Sequence, residues 1–508
     1  MMNDHLMKAY LAVCFFVILL IAQSSATTVK SAEDLVNLFR GKQSTVNVEI
    51  DVKADLDFST VSLSFPLGVK TGGTCVTYSG KLSGNGYSIK NLKMNNKGKS
   101  PEYSHAGLFC GLKNATITNL IIDSSNSFVG DISGALSVSV SGSLNVVNVS
   151  NQASVSGVWR VAGFIGYVTD INYDNVTISF DNCSNEGIVT GEQIFPAGFV
   201  GLFYNNSNLN IIISNCLNCG SVSGSGSSGG FIGSVSTNTN SQLSFVQSIN
   251  KGNINGKTEN VGGFLGIFVL NNRMNVSVLK CINNGTVTEN GPNAGGFFGS
   301  ILENKNSFVT ISESVNYGAI SNEDFCAGGM IGQFKYNTLT NLTILSCVNH
   351  GSITATKESI GGMIGVILIN TESTVLISNC TNNGSINKAA FAGGITGSVT
   401  TNTHIFLTVH NCTNNGMIDG DCFLGGLISH FYSLDDNSIG FTMINSINKG
   451  SVKGARGMVS GLFCLNPCCH SNMDITVLNS INKGDVTGQE AFGITNIMGK
   501  GKEYCKYG

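Results

Sequence analysis

The chain is short of charged side chains, proline and tryptophan. Its 508 residues include 5 prolines and 1 tryptophan, and charged residues make up 12%, about half the share typical of soluble domains. The formal net charge is −3, so the sequence has no basic surplus of the kind that binds nucleic acid. With so little charge available, Ser, Thr and Asn must cover the surface of a long apolar core.

Long apolar runs are also missing, apart from one near the N-terminus. Residues 9–22 form an apolar run of 14, preceded by a short polar start and followed by the small residues Ser24 and Ala26. This layout is typical of a signal peptide cleaved after Ala26, because a membrane helix needs about 20 apolar residues. An uncleaved signal anchor is the alternative, and it is the only membrane contact that we expect. The sequence thus predicts a secreted or cell-surface protein.

In an exported protein, cysteines can form disulfides and asparagines in sequons can carry glycans. Fifteen cysteines follow the signal segment, and an odd number leaves at least one thiol free or paired with another chain. Eleven N-x-S/T sequons occur, some of which would carry glycans in a eukaryotic secretory pathway. The main candidates for N-glycosylation are Asn114, Asn148, Asn175, Asn205, Asn275 and Asn341, and the others are Asn182, Asn284, Asn379, Asn383 and Asn411.

A repeated motif dominates the rest of the chain. The pattern [C/S]-x-N-x-G-x-[V/I] occurs ten times in succession with steps of 32 to 34 residues, and a degraded copy surrounds Asn151. The repeated asparagines are Asn185, Asn218, Asn250, Asn283, Asn316, Asn349, Asn382, Asn414, Asn448 and Asn482. The repeated glycines are Gly187, Gly220, Gly252, Gly285, Gly318, Gly351, Gly384, Gly416, Gly450 and Gly484.

The spacing of the motif predicts the fold. Its fixed positions are two apart, so in an extended chain they point to the same side. Each repeat also holds a block such as "GGFLG" and an alternating strand such as "VTISF", and this abundance of Gly and β-branched residues disfavours helix. We predict an all-β, right-handed parallel β-solenoid (β-helix) with one coil of three short strands per repeat of about 33 residues.

Stacked coils would place equal residues above one another. The repeated asparagines are then expected to form a ladder of side-chain hydrogen bonds along one corner, since an amide both donates and accepts. Asn also tolerates left-handed backbone, and the glycine beside it would permit a bend that no side chain fits. The Phe, Met, Leu and Ile of the "GGFLG" blocks are predicted to fill the core.

The chain divides into four predicted segments. Residues 1–26 are the signal peptide, 27–148 hold an N-terminal capping helix and irregular first coils, 149–495 form the regular solenoid, and 496–508 are a polar tail. A short helix over residues 31–39, with Ser31 and Asp34 as a capping box, is expected to cover the open end of the first coil, and the coils themselves are expected to start near Val46. The C-terminal coil has little apolar cover, which makes self-association through it an open alternative.

Two N-terminal blocks, "SGKLSGNGYSIKNL" and "AGLFCGLKNATITNLII", together with the later "GGFLG" blocks, carry a resemblance. They resemble secreted repeat proteins with GLUG-type motifs, which occur on the surfaces of bacteria and anaerobic protists, and the likeness covers about 450 residues. The resemblance implies an exported β-solenoid associated with surface display and adhesion. The sequence shows no cell-wall sorting signal and no lipid-anchor tail, so the means of retention is left open.

A polysaccharide-cleaving β-helix enzyme is the main rival hypothesis. That chemistry needs carboxylates, or Asp with Lys or Arg, clustered on neighbouring coils. Acidic residues do not recur at fixed positions of the repeat, and the nearest candidates, Asp419 with Asp421 and Asp435 with Asp436, lie in predicted turns where Asp is common. We predict no catalytic residues, no metal and no cofactor.

Cysteine clusters offer two further choices. In "CLNPCCHSN", the residues Cys464, Cys468 and Cys469 are expected to form a disulfide-bearing loop in an exported protein, with zinc binding that includes His470 as the alternative. Cysteines in the first motif position would come within disulfide reach between coils. Serine takes the same position in four coils, so buried thiols are favoured at Cys183, Cys216, Cys281, Cys347, Cys380 and Cys412.

The functional hypothesis follows from constant core positions and variable turns. Turns such as "YNNSN", "LENKN" and "SLDDNS" differ from coil to coil, and variable surface loops on a fixed scaffold are typical of binding. We expect a non-enzymatic surface protein for adhesion, whose partner is a host or matrix protein or a glycan. A polysaccharide lyase or hydrolase and a self-associating coat component are the alternatives.

Overall fold

The computed structural model describes residues 26–70, 74–432, 439–465, 473–493 and 495–497. Its strands pair in parallel, each with the equivalent strand one coil earlier and one coil later. Asn283, for example, is in register with Asn316, and Asn316 with Asn349. The predicted all-β parallel solenoid with a repeat of about 33 residues is confirmed. The part of the chain beginning at Ala26 that the structure describes holds one α-helix, Ala32–Phe39, and one 3₁₀ turn, Pro101–Tyr103.

The regular coils carry five short strands on four faces, or four where one strand spans both columns of face 3, whereas three strands were predicted. In one coil, Asn275–Leu279 lies on face 1, Ile282–Asn283 on face 2, Val287–Glu289 and Asn293–Gly295 on face 3, and Phe298–Leu302 on face 4. The prediction of three was wrong because the chain turns at more positions than the motif reveals.

Faces 1 and 2 are sheets of 15 and 14 strands. At the usual strand separation of about 4.8 Å, 15 strands give a rod roughly 65–70 Å long. The strands of face 1 are Thr27–Val29, Ile50–Val52, Lys81–Ser83, Ala115–Thr118, Leu144–Val147, Val176–Asp181, Leu209–Ser214, Gln242–Val246, Asn275–Leu279, Phe308–Ser312, Asn341–Leu345, Thr374–Ser378, Ile405–His410, Ile439–Ile444 and Met473–Leu478. Those of face 2 are Leu56–Asp57, Ser88–Lys90, Ile121–Ile122, Ser150–Asn151, Ser184–Asn185, Leu217–Asn218, Ile249–Asn250, Ile282–Asn283, Val315–Asn316, Val348–Asn349, Thr381–Asn382, Thr413–Asn414, Ile447–Asn448 and Ile481–Asn482.

Face 3 has two strand columns, joined where one strand runs through both, and face 4 has a single column of 14 strands. The strands of face 3 are Lys93–Asn95, His105–Ala106, Ser127–Gly134, Ser154–Ala162, Val189–Gly191, Pro196–Ala197, Val222–Ser223, Ser228–Gly229, Ile254–Gly256, Asn260–Gly262, Val287–Glu289, Asn293–Gly295, Ile320–Asn322, Cys326–Gly328, Ile353–Ala355, Ser359–Gly361, Ile386–Gly393, Ile418–Gly425, Val452–Gly454, Met458–Ser460, Val486–Thr487 and Glu490–Phe492. Those of face 4 are Thr77–Tyr78, Phe109–Leu112, Ser137–Val140, Ile165–Thr169, Val200–Tyr204, Ile232–Ser236, Leu265–Val269, Phe298–Leu302, Ile331–Lys335, Ile364–Leu368, Thr396–Thr400, Ile428–Tyr432, Phe463–Leu465 and Thr495–Ile497.

The second strand column of face 3 packs on the outer side of face 4. Nδ2 of Asn293 donates to Oε1 of Gln333 at 3.2 Å, and the rings of Phe391 and His430 are 4.7 Å apart. Face 4 is thus covered on both sides, and its strands read as almost continuously buried, as expected for a doubly covered parallel sheet. We call the row of turns between the two columns of face 3 the ridge; it includes residues 290–292 in one coil and 323–325 and 356–358 in the next two.

The core is a column of stacked apolar side chains, as predicted from the "GGFLG" blocks. Phe199, Phe231, Phe264 and Phe297 are fully buried, and successive ring centroids are 4.8 to 4.9 Å apart. Met, Ile and Leu continue the column in later coils. Burying one such side chain contributes about 1.5–3 kcal/mol, so each added coil extends a dry core.

The N-terminal helix closes the first coil, and its predicted capping box is present. Oγ of Ser31 accepts from the backbone N–H of Asp34, and the Asp34 carboxylate accepts from the backbone N–H of Ser31. Leu35 is fully buried, and the Phe39 ring lies 5.8 Å from that of Phe109. The helix therefore covers the apolar end of the solenoid.

Two features of the first coils were not foreseen. Parallel pairing begins with Thr27–Val29 against Ile50–Val52, earlier than the start expected near Val46. A disulfide joins Cys75 to Cys110, a pairing that no sequence pattern indicated.

Candidate functional site

The predicted asparagine ladder is present, and its asparagines are fully buried from Asn151 to Asn448. Nδ2 of Asn283 donates to Oδ1 of Asn316 at 2.7 Å, and Nδ2 of Asn316 donates to Oδ1 of Asn349 at 2.7 Å. The second N–H of each amide is also used, since Asn316 donates to the carbonyl of Gly318 at 2.9 Å. Equivalent bonds run from Asn151 to Asn482, so the ladder is a continuous polar seam within the core.

The repeated glycines are needed for space. A Cβ atom on Gly318 would lie 1.9 Å from the carbonyl oxygen of Gly285. On the opposite side of the ladder, a Cβ on Gly263 of a "GGFLG" block would lie 2.6 Å from the Asn283 side chain. Real Cβ atoms do not approach so closely, so both glycine columns fit the chain around the ladder.

Left-handed backbone occurs at other positions than those expected. Neither the ladder asparagines nor the glycines of the motif have positive φ. The left-handed residues form columns at the ends of face 1, with φ of 57° at Leu270, 52° at Arg273 and 53° at Lys280. The left-handed backbone considered for the ladder asparagines is therefore wrong: they lie in short extended strands, where their side chains point inward and stack.

A second buried ladder was missed. Nδ2 of Asn271 donates to Oδ1 of Asn304 at 3.0 Å, and Asn304 donates to Asn337 at 3.1 Å. The same column includes Asn206, Asn238, Asn370 and Asn402. It begins face 1 and lies inside the turns that had been assigned entirely to the variable surface. Asparagine recurs there at the same 32- or 33-residue step, and that periodicity could have revealed it.

The cysteines of the motif are buried thiols, as favoured. Cys183, Cys216, Cys281, Cys347, Cys380 and Cys412 are all free and buried. Sγ of Cys412 donates to backbone oxygens of Ile377 and His410 at 3.4 and 3.3 Å. Burial raises the pKa of Cys281 to about 12, so the thiol stays protonated. These side chains fill a small slot that serine also fits.

The predicted disulfide loop is contradicted at one of its three cysteines. Cys464 is a buried free thiol, and its Sγ faces the carbonyl of Leu424 at 3.5 Å. Cys468, Cys469 and His470 lie outside the described residues. Elsewhere, Cys422 is disulfide-bonded. No group of three or more His, Cys, Asp or Glu side chains in the described ranges could hold a metal ion.

Of the candidate carboxylates, Asp419 and Asp421 lie on the face 3 strand Ile418–Gly425 and not in the predicted turn. Asp421 is bound by Arg456, whose Nε donates to Oδ1 at 2.9 Å, and this bond lowers the Asp421 pKa. Asp435 and Asp436 lie outside the described residues. A carboxyl that no sequence pattern indicated is that of Glu289, which is fully buried beside the ridge and whose Oε1 accepts from the backbone N–H of Gly291 at 2.5 Å. Burial raises its pKa to about 8.

The sequon asparagines lie at the surface. Ten of the eleven are exposed, and Asn341 is half-buried. Two pairs occupy adjacent coils and bond to each other: Nδ2 of Asn182 donates to Asn148 at 2.5 Å, and Nδ2 of Asn411 donates to Asn379 at 2.7 Å. A glycan attached to one asparagine of a pair would either use the Nδ2 atom that forms this hydrogen bond or crowd the other asparagine.

The outer surface of face 1 is uncharged over most of the rod. Eight successive strands, from Leu209–Ser214 to Ile439–Ile444, contain no Asp, Glu, Lys or Arg. We name as the neutral panel the outward side chains of four neighbouring strands in this region, Phe308–Ser312, Asn341–Leu345, Thr374–Ser378 and Ile405–His410. Its members are Phe308, Thr310, Ser312, Asn341, Thr343, Leu345, Thr374, Leu376, Ser378, Phe406, Thr408 and His410.

Comparison with known proteins adds little beyond the architecture. No family model and no curated protein matches the chain, and no helix among the described residues is long and apolar enough to cross a membrane. Among solved structures, the chain is similar to a Bacteroides ovatus protein provisionally designated an immunoglobulin A1 protease. The identity is 15% and the TM-score 0.30, over 73% of this chain and 77% of that one. A likeness this weak carries no argument about activity.

Proposed function

We propose that this protein is an exported surface β-solenoid that binds a host or matrix protein or a glycan and performs no catalytic step. One observation carries the proposal: the constant residues of each coil are buried, while the outward positions vary from coil to coil. Asn283 and Gly285 are enclosed, whereas the residue between them, Asn284, is exposed and becomes Tyr317 and His350 in the next two coils. A scaffold built this way can change its surface without changing its fold.

Two further features support the proposal. The N-terminal apolar run has the layout of a signal peptide, and the repeats resemble those of surface proteins with GLUG-type motifs. The turns that begin face 1 expose large side chains, since Tyr204, Leu270, Tyr336 and Leu339 are 43 to 52% exposed. Exposed aromatic and apolar side chains on a rigid frame are typical anchors of binding surfaces.

The test uses residues 27–508 as a purified protein. We expect saturable binding to whole cells or to extracellular matrix, and we expect antibodies to detect the native protein on intact producing cells or in their medium. An exclusively intracellular location, or no binding to any surface tested, would refute the proposal. Release of reducing ends from neutral and acidic glycans would instead support the enzyme alternative.

A further inference from the structure

The neutral panel exposes apolar side chains that the core does not need. Phe308 is 53% exposed, Phe406 62%, and Leu345 and Leu376 are each 37% exposed. The strand register places Leu345, Leu376 and Phe406 on a diagonal, each one coil further along and one outward position nearer the start of its strand. The result is an apolar stripe one side chain wide.

The Phe406 ring reaches over the neighbouring strand. Its neighbour in the next coil is Gly440, and a Cβ atom placed there would be 2.6 Å from Cδ1 and 3.0 Å from Cε1 of the ring. Glycine therefore lets the ring lie across the neighbouring strand. The ring remains 62% exposed and is open to solvent.

Hydrogen-bonding groups flank the stripe on both sides. Oγ1 of Thr374 donates to Oδ1 of Asn341 at 2.7 Å, and Oγ of Ser378 lies 3.2 Å from Nδ1 of His410. After its bond forms, the Asn341 amide retains two N–H donors and the Thr374 hydroxyl retains acceptor capacity. Thr343 and Thr408 add hydroxyls on either side of Leu376.

We propose that the neutral panel binds an uncharged polysaccharide chain laid flat on face 1. Sugar rings combine apolar C–H faces with a rim of hydroxyls, and the panel offers a narrow apolar stripe bordered by hydroxyls and an amide. The Phe406 ring stacks against one sugar face, while Asn341 and Thr374 bond to sugar hydroxyls. This inference rests on the proposed function and specifies the ligand class and its location.

The absence of charged side chains from the panel favours an uncharged polysaccharide over other ligands. An acidic polysaccharide or an anionic membrane surface would call for Lys or Arg, and the four panel strands contain none. A second copy of the chain or another apolar protein surface would call for a broad apolar patch at the centre of the contact. Here the apolar side chains form a stripe interrupted by Thr and Ser on both sides.

The experiment measures co-sedimentation of residues 27–508 with insoluble cellulose, chitin, β-1,3-glucan and mannan, at low and high salt. The protein is produced without N-glycans, because Asn341 is also a sequon. We expect binding to at least one of these neutral glycans, little change with salt because no ion pair is involved, and no binding to alginate or heparin columns. The double variant Leu376→Ala/Phe406→Ala should lower the affinity about tenfold or more, as removing central anchor side chains does.

A matched control removes two exposed aromatic side chains from other sides of the rod, Tyr317→Ala/Phe325→Ala, and should retain full binding. A third variant, Thr343→Glu, places a charge beside the stripe and should weaken binding without removing an apolar contact. Far-ultraviolet circular dichroism and thermal unfolding confirm that each variant is folded.

Three outcomes would overturn the inference: absence of binding to every neutral glycan, equal loss in the control variant, or loss of self-association in the panel variant as measured by light scattering. Cell binding by the unmodified protein is measured in parallel. If cell binding persists while glycan binding is absent, the inference fails and the proposed function stands. If glycan binding occurs but the native protein is found only inside the producing cells, the proposed surface role fails instead.

Discussion

Asn316 shows how one residue can serve two neighbouring coils. Its Oδ1 accepts from Asn283, and its Nδ2 donates both to Asn349 and to the carbonyl of Gly318. All of these groups are buried, where an unpaired amide or carbonyl costs about 1–3 kcal/mol. There is no room for a side chain at position 318, so the motif requires both the asparagine at position 316 and the glycine at position 318.

The substitution Asn316→Leu should be strongly destabilising. It keeps the approximate volume but leaves the Asn283 donor and two acceptors unpaired in the core, at a cost of roughly 3 kcal/mol or more. We expect a clear fall in the midpoint of urea unfolding, together with faster amide exchange in the coils on either side.

The matched control is Asn482→Leu at the last rung of the described ladder. Asn482 makes the same bonds to Asn448 and Gly484 but is half-buried, so water can satisfy the groups it abandons. A loss of stability equal to that of Asn316→Leu would contradict the assignment of the ladder to buried hydrogen bonding.

At the level of strands and turns, the sequence predicts what repeats at fixed spacing. The motif places the ladder at Asn283 and Asn316, and the "GGFLG" block places Phe264 in the core. The second ladder at Asn271 and Asn304 was overlooked because its asparagines lie among other polar residues that resemble a solvated turn. The number of strands was underestimated for a related reason: a two-residue strand such as Ile282–Asn283 has no periodicity of its own.

Other features depend on contacts between distant parts of the coil. The packing of Phe391 on His430 places a column of face 3 on the outer side of face 4, and the repeat pattern contains no signal for that contact. The disulfide between Cys75 and Cys110 likewise joins irregular first coils, where no repeat sets the register. The neutral panel is visible in sequence only once the strand register defines which residues face outward.

The buried carboxyl of Glu289, beside the ridge, makes the stability of the folded protein depend on pH. The carboxyl is packed against Gly256 and Gly291, and Oε2 has no hydrogen-bond partner among the described residues. Burial, aided by the nearby Glu259 carboxylate, raises the Glu289 pKa from 4.5 to about 8. The folded state thus holds a proton that the unfolded chain releases, and its contribution to stability is complete below pH 4.5 and declines as pH rises towards about 8.

We expect the unmodified protein to lose up to a few kcal/mol of this contribution between pH 5 and pH 8. The variant Glu289→Gln cannot ionise, so its melting temperature should vary less over this interval. Glu303→Gln, at an exposed carboxyl, should follow the unmodified protein. If Glu289→Gln and the unmodified protein change equally with pH, the buried carboxyl does not control the effect.

For the whole molecule, two properties follow from stacking. The ridge carries charge, as in the pair of Lys357 with Asp324 at 2.7 Å, whereas eight successive strands of face 1 contain no charged residue. Energetically, a coil contacts only its neighbours, so stability is approximately a sum of coil terms and interface terms. The N-terminal helix contributes separately to stability, because it covers the apolar end of the first coil, which has no preceding coil.

Removing one whole coil should therefore leave a folded rod. Asn316 and Asn349 are 33 residues apart and in register, so deletion of residues 317–349 joins Asn316 directly to His350 and brings the ladder to Asn382 without a break. We expect unchanged circular dichroism per residue and a melting temperature close to that of the full chain. Deletion of residues 317–333 removes about half a coil and leaves one coil too short to close, so core positions meet surface positions where the coils before and after the deletion join. That shorter deletion should aggregate or remain unfolded, although it removes fewer residues. If both deletions fold equally well, or if the in-phase deletion fails to fold, stability does not arise from coil-by-coil stacking.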